Sequence, residues 1–158
     1  MNRYYWGGIE DSSVYLDENN RRMLTNFRST FNRLAETLVA EGRIDSARMV
    51  LDRSVEKIPD RVAPFGYFTL PVIESYYKIG EMEKARDIAR QLEKRISQEL
   101  DYIFLLTPQQ RTLLSNTIQL DLYVYRRMVN LAQNYDETVD HSAWLKKLSD
   151  YLSVYQQL

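Results

Sequence analysis

The stretch Leu34-Ala35-Glu36-Thr37-Leu38-Val39-Ala40-Glu41-Gly42-Arg43-Ile44-Asp45-Ser46-Ala47-Arg48 returns 38 residues later as Val72-Ile73-Glu74-Ser75-Tyr76-Tyr77-Lys78-Ile79-Gly80-Glu81-Met82-Glu83-Lys84-Ala85-Arg86. Glu36/Glu74, Gly42/Gly80, Ala47/Ala85 and Arg48/Arg86 are identical, with apolar or acidic matches between them. The spacing has a mechanical reading. A helix ends at Gly42, because glycine takes the left-handed conformation past a helix C-terminus without steric cost. Asp45 stands where its side chain can cap the next helix. Ala47 follows because two helices crossing that closely leave room for only a methyl group. Pro59 stops the second helix. Gly80, Glu83 and Ala85 repeat the arrangement, with Glu a poorer cap than Asp.

Helical periodicity extends outward from this pair. Asp17 caps a helix whose apolar stripe runs Met23, Phe27, Phe31, Leu34 and Leu38 and ends at Gly42. The second helix carries Ala47, Leu51, Val55 and Ile58. The third carries Phe68, Val72, Tyr76 and Ile79, and either opens at Pro71 or is kinked there. A long fourth helix carries Ala85, Ile88, Leu92, Ile96 and Ile103. Thr107-Pro108 opens a fifth, with Thr as cap and Pro at its first position. That helix has two apolar stripes: Leu114, Ile118, Leu122, Tyr125 and Val129, and Leu113, Leu120, Val124, Met128 and Leu131. Apolar residues over so wide an arc imply packing between neighbours. Asp140 caps a final helix carrying Trp144, Leu148, Leu152 and Tyr155.

The bulk numbers agree with helices joined by short turns. The 158 residues include only 5 Gly and 4 Pro, too few turn-formers for a many-stranded β protein. Net charge is −1, from 21 basic and 22 acidic residues with signs interleaved. No basic excess exists to neutralise phosphates, which argues against nucleic-acid binding. Without cysteine there is no disulfide, thiol nucleophile or thiolate metal site. Residues 102–106 form the longest apolar run, far short of the ~20 needed to span a bilayer. No basic segment followed by an apolar one opens the chain, so no secretory signal is expected.

The 38-residue period resembles the tetratricopeptide repeat, a helix–turn–helix unit of about 34 residues. In the first copy the family's large and small positions fall on Phe31, Leu34, Ala35, Leu38, Gly42, Ala47, Leu51, Ser54 and Pro59. In the second they fall on Thr69, Val72, Ile73, Tyr76, Gly80, Ala85, Ala89 and Leu92, while Ser97 occupies the proline position. The four extra residues lie around 61–65. The expectation is an all-α fold of antiparallel helix pairs: a tetratricopeptide-like right-handed superhelix of about three hairpins, six helices in all. Residues 1–16 form an irregular segment and 17–158 the helical-repeat domain. Within the domain the repeats lie at about 28–61 and 66–106, with a degenerate third hairpin at about 108–157.

Such arrays bind peptides along the face made by the first helix of each pair. The resemblance places Asn32 and Glu36 there from the first copy, and Tyr67, Leu70, Glu74 and Tyr77 from the second. Ser29, Arg33, Val39 and Lys78 stand beside them. Some of these domains clamp a terminal carboxylate with Lys and Asn; Glu36 and Glu74 would repel one. His141, the single histidine, reads as part of a helix start, since catalysis or metal binding needs converging partners. Glu10-Asp11, Asp17-Glu18 and Asp136-Glu137 read as capping or solvated charge. No catalytic, metal or cofactor site is expected.

A second resemblance rests on Trp6-Gly7-Gly8, Val14-Tyr15-Leu16-Asp17-Glu18, Arg22-Met23, Leu34-Ala35-Glu36, Gly42, Asp45-Ser46-Ala47, Leu70-Pro71 and Tyr76-Tyr77-Lys78. These are similar to the C-terminal tail of a bacterial multi-pass membrane family whose membrane region resembles protein O-mannosyltransferases. The likeness covers roughly residues 4–105. It implies a tail on the extracytoplasmic (periplasmic) face of the inner membrane, tethered through a preceding transmembrane region, with the catalytic groups elsewhere. The functional expectation is a non-catalytic interaction or scaffold domain for a protein or peptide partner, substrate polypeptide among the candidates. The alternatives are a carbohydrate- or small-ligand-binding helical domain, or a structural domain forming homodimers through Tyr4, Tyr5 and Trp6.

Overall fold

The computed structural model describes residues 6–9, 11 and 14–156; Tyr4, Tyr5 and Glu10 of the expectations above lie outside these. The fold is all-α. Seven α-helices follow one another among the described residues: α1 (Glu18–Ala40), α2 (Ile44–Lys57), α3 (Leu70–Lys78), α4 (Met82–Phe104), α5 (Pro108–Leu113), α6 (Ser115–Tyr135) and α7 (Ser142–Tyr155). A 3-10 turn, Tyr67–Thr69, leads into α3. None of these helices is long and apolar enough to cross a membrane.

Each start has a local cause. The Asn20 N–H donates to the Asp17 carboxylate at 2.7 Å, capping α1. Thr107 and Gln110 satisfy each other's backbone N–H groups at the start of α5, a reciprocal capping box. Pro71 lies in the first turn of α3, where its missing N–H costs little, so this helix opens rather than kinks. The expected single helix after Pro108 is instead interrupted at Leu114 and becomes α5 and α6. That makes seven helices rather than six.

The two glycines act alike. Gly42 and Gly80 have φ of +73° and +80°, the left-handed region. The Arg43 N–H donates to the Leu38 carbonyl at 2.8 Å and the Gly42 N–H to Val39 at 3.0 Å. One period later, Glu81 donates to Tyr76 at 2.9 Å and Gly80 to Tyr77 at 3.0 Å. These paired bonds satisfy the last carbonyls of α1 and α3. Ala47 and Ala85 are fully buried just beyond. Asp45, however, caps nothing. It lies inside the first turn of α2, two positions past the N-cap Arg43, and accepts from Arg48 at 2.9 Å.

Three antiparallel pairs result: α1 with α2, α3 with α4, and α6 with α7. α3 packs against both α1 and α6, and α4 also packs against α6. The middle pair supplies much of the main core: Leu70, Val72, Ile73, Tyr76, Ala85, Ile88, Leu92, Ile96, Leu100 and Ile103. The equivalent arginines tie successive pairs together. Arg48 of α2 pairs with Asp45 and with Glu81 in the next turn. Arg86 of α4 pairs with Glu83 and grips Asp136, at the end of α6, through two bonds of 2.5 and 2.8 Å. That contact holds the Asp136 carboxyl below the usual carboxylate range.

The expected core stripe of α1 is corrected. Met23, Phe27 and Leu34 are 57%, 49% and 49% exposed, whereas Leu24, Arg28, Asn32, Ala35 and Leu38 are buried. Two stripes lie side by side on this helix, and the more polar one faces inward. Arg28, 2% exposed, makes that possible. It donates to the carbonyls of Ile58 (2.8 Å), Ala63 (2.6 Å) and Pro64 (3.2 Å), with its guanidinium over the Phe65 ring at 4.9 Å. The residues in excess of a 34-residue period are thus folded around one side chain. Burial lowers the Arg28 pKa to about 10, with Asp60 pulling the other way, so the group stays charged at neutral pH.

Arg28→Met should therefore lower the unfolding free energy in urea by roughly 2–4 kcal/mol, since three buried carbonyls lose their donor. The exposed Arg126→Met change should stay within about 0.5 kcal/mol. A second prediction concerns Asp121 on α6, whose Oδ2 is buried without a hydrogen-bond partner among the described residues. Burial first, then the charge of Glu99, raise its pKa to about 7, with Arg95 opposing. The unfolded value is about 3.9, so the native state retains a proton that the unfolded chain has released. Stability therefore falls as pH rises from about 4 through 7. Asp121→Asn should remove that fall, exceeding the wild type by roughly 1–2 kcal/mol at pH 8 after allowance for partial solvation. The gap in urea midpoints should close towards pH 4.

Candidate interaction face

The first helices of the three pairs, α1, α3 and α6, are neighbours in that order. Polar and aromatic contacts run across them. On α1, buried Asn32 donates to Glu36 at 3.0 Å and accepts from the Ser75 hydroxyl of α3 at 3.3 Å. On α3, Glu74 accepts from Lys78 at 2.8 Å and from the Tyr135 hydroxyl of α6 at 3.4 Å. That hydrogen bond to Glu74 raises the Lys78 pKa, and Glu36 contributes through its charge. Tyr77 stacks on Tyr135 with ring centroids 5.6 Å apart and planes within 5°.

A second ring stack joins the same two helices further back. Tyr67, in the 3-10 turn, lies 6.1 Å from Tyr123 of α6 and 5.3 Å from Phe68, the latter edge-on. All three rings are exposed, as is Leu120 one turn before Tyr123. Two Tyr–Tyr contacts thus mark the α3–α6 seam, one closed and one open to solvent.

The six residues expected on this face separate accordingly. Glu36 and Tyr67 are exposed, and Glu74 is half-buried between Lys78 and Tyr135. Asn32, Leu70 and Tyr77 are only 4%, 7% and 3% exposed, so they form the seams between helices rather than presenting groups to a partner. Their burial follows from α3 being sandwiched, which turns most of its surface inward. Phe68 and Tyr123 enter the face without having been expected there. Phe68 carried a signal: with Pro71 in the first turn, the residues before Leu70 fall outside the helical register that would bury them. Tyr123 carried none, since it stands among the apolar residues of a helix buried over a wide arc.

Asp52 and Glu93 each join helices. Tyr76 donates to Asp52 at 2.9 Å, where Lys84 also binds at 2.8 and 2.9 Å. Tyr125, Ser97 and Lys147 converge on Glu93, joining α6, α4 and α7. Burial and these carboxylates push the Tyr76 and Tyr125 phenols far up, so neither ionises at physiological pH. His141 bonds the Asp136 carbonyl at 3.0 Å and stacks on Trp144, while Asp140 accepts from the Ser142 N–H at 2.8 Å. These contacts shape the α6–α7 turn.

Compared with family models, with curated proteins and with solved structures, the chain matches none. The geometry separates seam from surface in a measurable way. Tyr77→Ala should lower stability in urea by about 3–4 kcal/mol, as for a large buried side chain. Tyr67→Ala should cost less than about 1 kcal/mol.

Proposed function

We propose that this chain is a non-catalytic helical-repeat domain that binds a protein or peptide segment across α1, α3 and α6. The observation that carries the reading is the open ring cluster of Tyr67, Phe68 and Tyr123 at the α3–α6 seam. Tyrosine and phenylalanine offer large contact area with few rotors to immobilise, which is why such rings dominate binding energy at interfaces. Glu36, Glu74 and Lys78 continue the face with charge of both signs, suited to a polar extended segment. The tetratricopeptide-like superhelix and the place as a tail of a membrane glycosyltransferase-like protein belong to this proposal. In that setting the domain would hold substrate polypeptide or a partner near the extracytoplasmic membrane surface. Support comes from the 38-residue repeat and from the parallel seams of the first helices.

A photo-crosslinking amino acid at position 120, beside the rings, tests the reading in cells producing the protein. The double change Tyr67→Ala and Tyr123→Ala should reduce the major crosslinked product at least tenfold. Tyr102→Ala, on an exposed position of α4, should leave it unchanged. Persistence of every crosslinked product in the folded double variant would sink the proposal.

A further inference from the structure

The outer stripe of α1 forms a second surface, away from the face described above. Met23, Phe27 and Leu34 are spaced to lie along one side of the helix, and all three are exposed. Trp6 and Ile9 fold against this side: Trp6 stacks on Phe31 at 6.0 Å and meets Phe27 edge-on at 6.5 Å. Trp6, Ile9, Leu24, Phe27, Phe31 and Leu34 line a concave groove of about 660 Å³. Uncharged Asn26, Thr30 and Thr37 border the stripe, and beyond them stand exposed Arg22 and Arg33. Among the described residues neither arginine pairs with a carboxylate; Arg22 reaches only Asn19, at 2.9 Å. Six other arginines, at 43, 48, 53, 86, 90 and 95, do pair with carboxylates.

We infer that this groove is a docking site for an amphipathic helix of a partner protein, with an apolar stripe and an acidic rim. The groove supplies apolar walls and a floor for anchors at helical spacing, the mode in which one helix lies in a hydrophobic groove. Arg22 and Arg33 are eleven residues apart, about 16 Å along the helix, so they suit two carboxylates three turns apart. A second copy of this chain fits poorly. Antiparallel two-fold pairing of α1 with itself brings the same rim of each copy together, arginines against arginines. A bilayer also fits less well, because the apolar side chains line a hollow rather than protrude from a ridge.

The test uses a displayed library of 18-residue helix-favouring peptides, selected against the whole chain carrying Trp144→Phe. That change leaves Trp6 as the only tryptophan, so binding in the groove is read directly from its fluorescence. Selected peptides should share apolar residues at helical spacing with acidic neighbours and should shift the Trp6 emission. Leu34→Glu should weaken them at least tenfold, and the double change Arg22→Glu with Arg33→Glu should turn selection towards basic rims. Both substituted surfaces are exposed, and circular dichroism verifies folding. Tyr67→Ala with Tyr123→Ala should leave these peptides bound, which separates this site from the α3–α6 face. The inference fails if no selected peptide depends on Leu34, or if reversing the rim leaves peptide charge unchanged. It also fails if Leu34 drives a concentration-dependent dimer in light scattering, or Leu34-dependent sedimentation with phosphatidylserine vesicles.

Discussion

A charged guanidinium sealed among apolar groups sets the geometry on which the later helices depend. Among the described residues Arg28 has no carboxylate in hydrogen-bond contact; its bonds go to three main-chain carbonyls. Removing such a group from water costs several kcal/mol, and the cost is met only while all three acceptors hold their positions. Ile58, Ala63 and Pro64 are therefore each tied to α1 by a hydrogen bond. Pro59 and Asp60 complete the connector, accepting from the backbone N–H groups of Val62, Ala63 and Phe65. The chain leaves this connector at Gly66 and enters α3, so Arg28 helps to set the second hairpin against the first, together with Asn32–Ser75 and Arg48–Glu81.

From that point a simpler rule carries the structure forward. Arginines one period apart, Arg48 and Arg86, each hold an acid three residues back and another acid at the next hairpin's turn. The acids differ: Glu81 precedes α4, whereas Asp136 ends α6. The contact repeats even though the third turn has lost its glycine. Gly42 and Gly80 solve the turn by a left-handed residue. The third turn is longer and is held by side chains, with Asp136, Thr138 and His141 bonded around it. Losing a backbone solution there required a polar one.

What was legible in the sequence follows from how local each cause is. Gly42, Ala47, Gly80 and Ala85 impose conformations or clearances that depend only on near neighbours, so hairpins could be read directly. The inward face of α1 could not. Met23, Phe27 and Leu34 make the better apolar stripe, yet Leu24, Arg28, Asn32 and Ala35 face the core, because their partners come from 30 or more residues away. Periodicity locates stripes but does not say which of two adjacent stripes is covered. The same limit divided the expected face. The repeat pattern placed Asn32 and Tyr77 on the face, but the Asn32 amide meets Ser75 of α3 and the Tyr77 ring stacks on Tyr135 of α6, so both fill seams. Part of the high tyrosine count, 12 in all, has this origin. Buried Tyr76, Tyr125 and Tyr151 and half-buried Tyr135 each end on a carboxylate.

The inverted character of α1 also connects its two surfaces. Leu24 packs in a small cluster with Ile58, Val62 and Ala63, separate from the main core, and Trp6, Ile9 and Phe31 lean on it. The residues under the outer groove are thus the residues of the connector that Arg28 pins. A helix seated in the groove would add apolar contacts beside this smaller cluster. The same loop delivers Tyr67 and Phe68 to the α3–α6 seam. Residues 58–66 thus lie beneath one surface and lead directly into the 3-10 turn that carries the rings of the other.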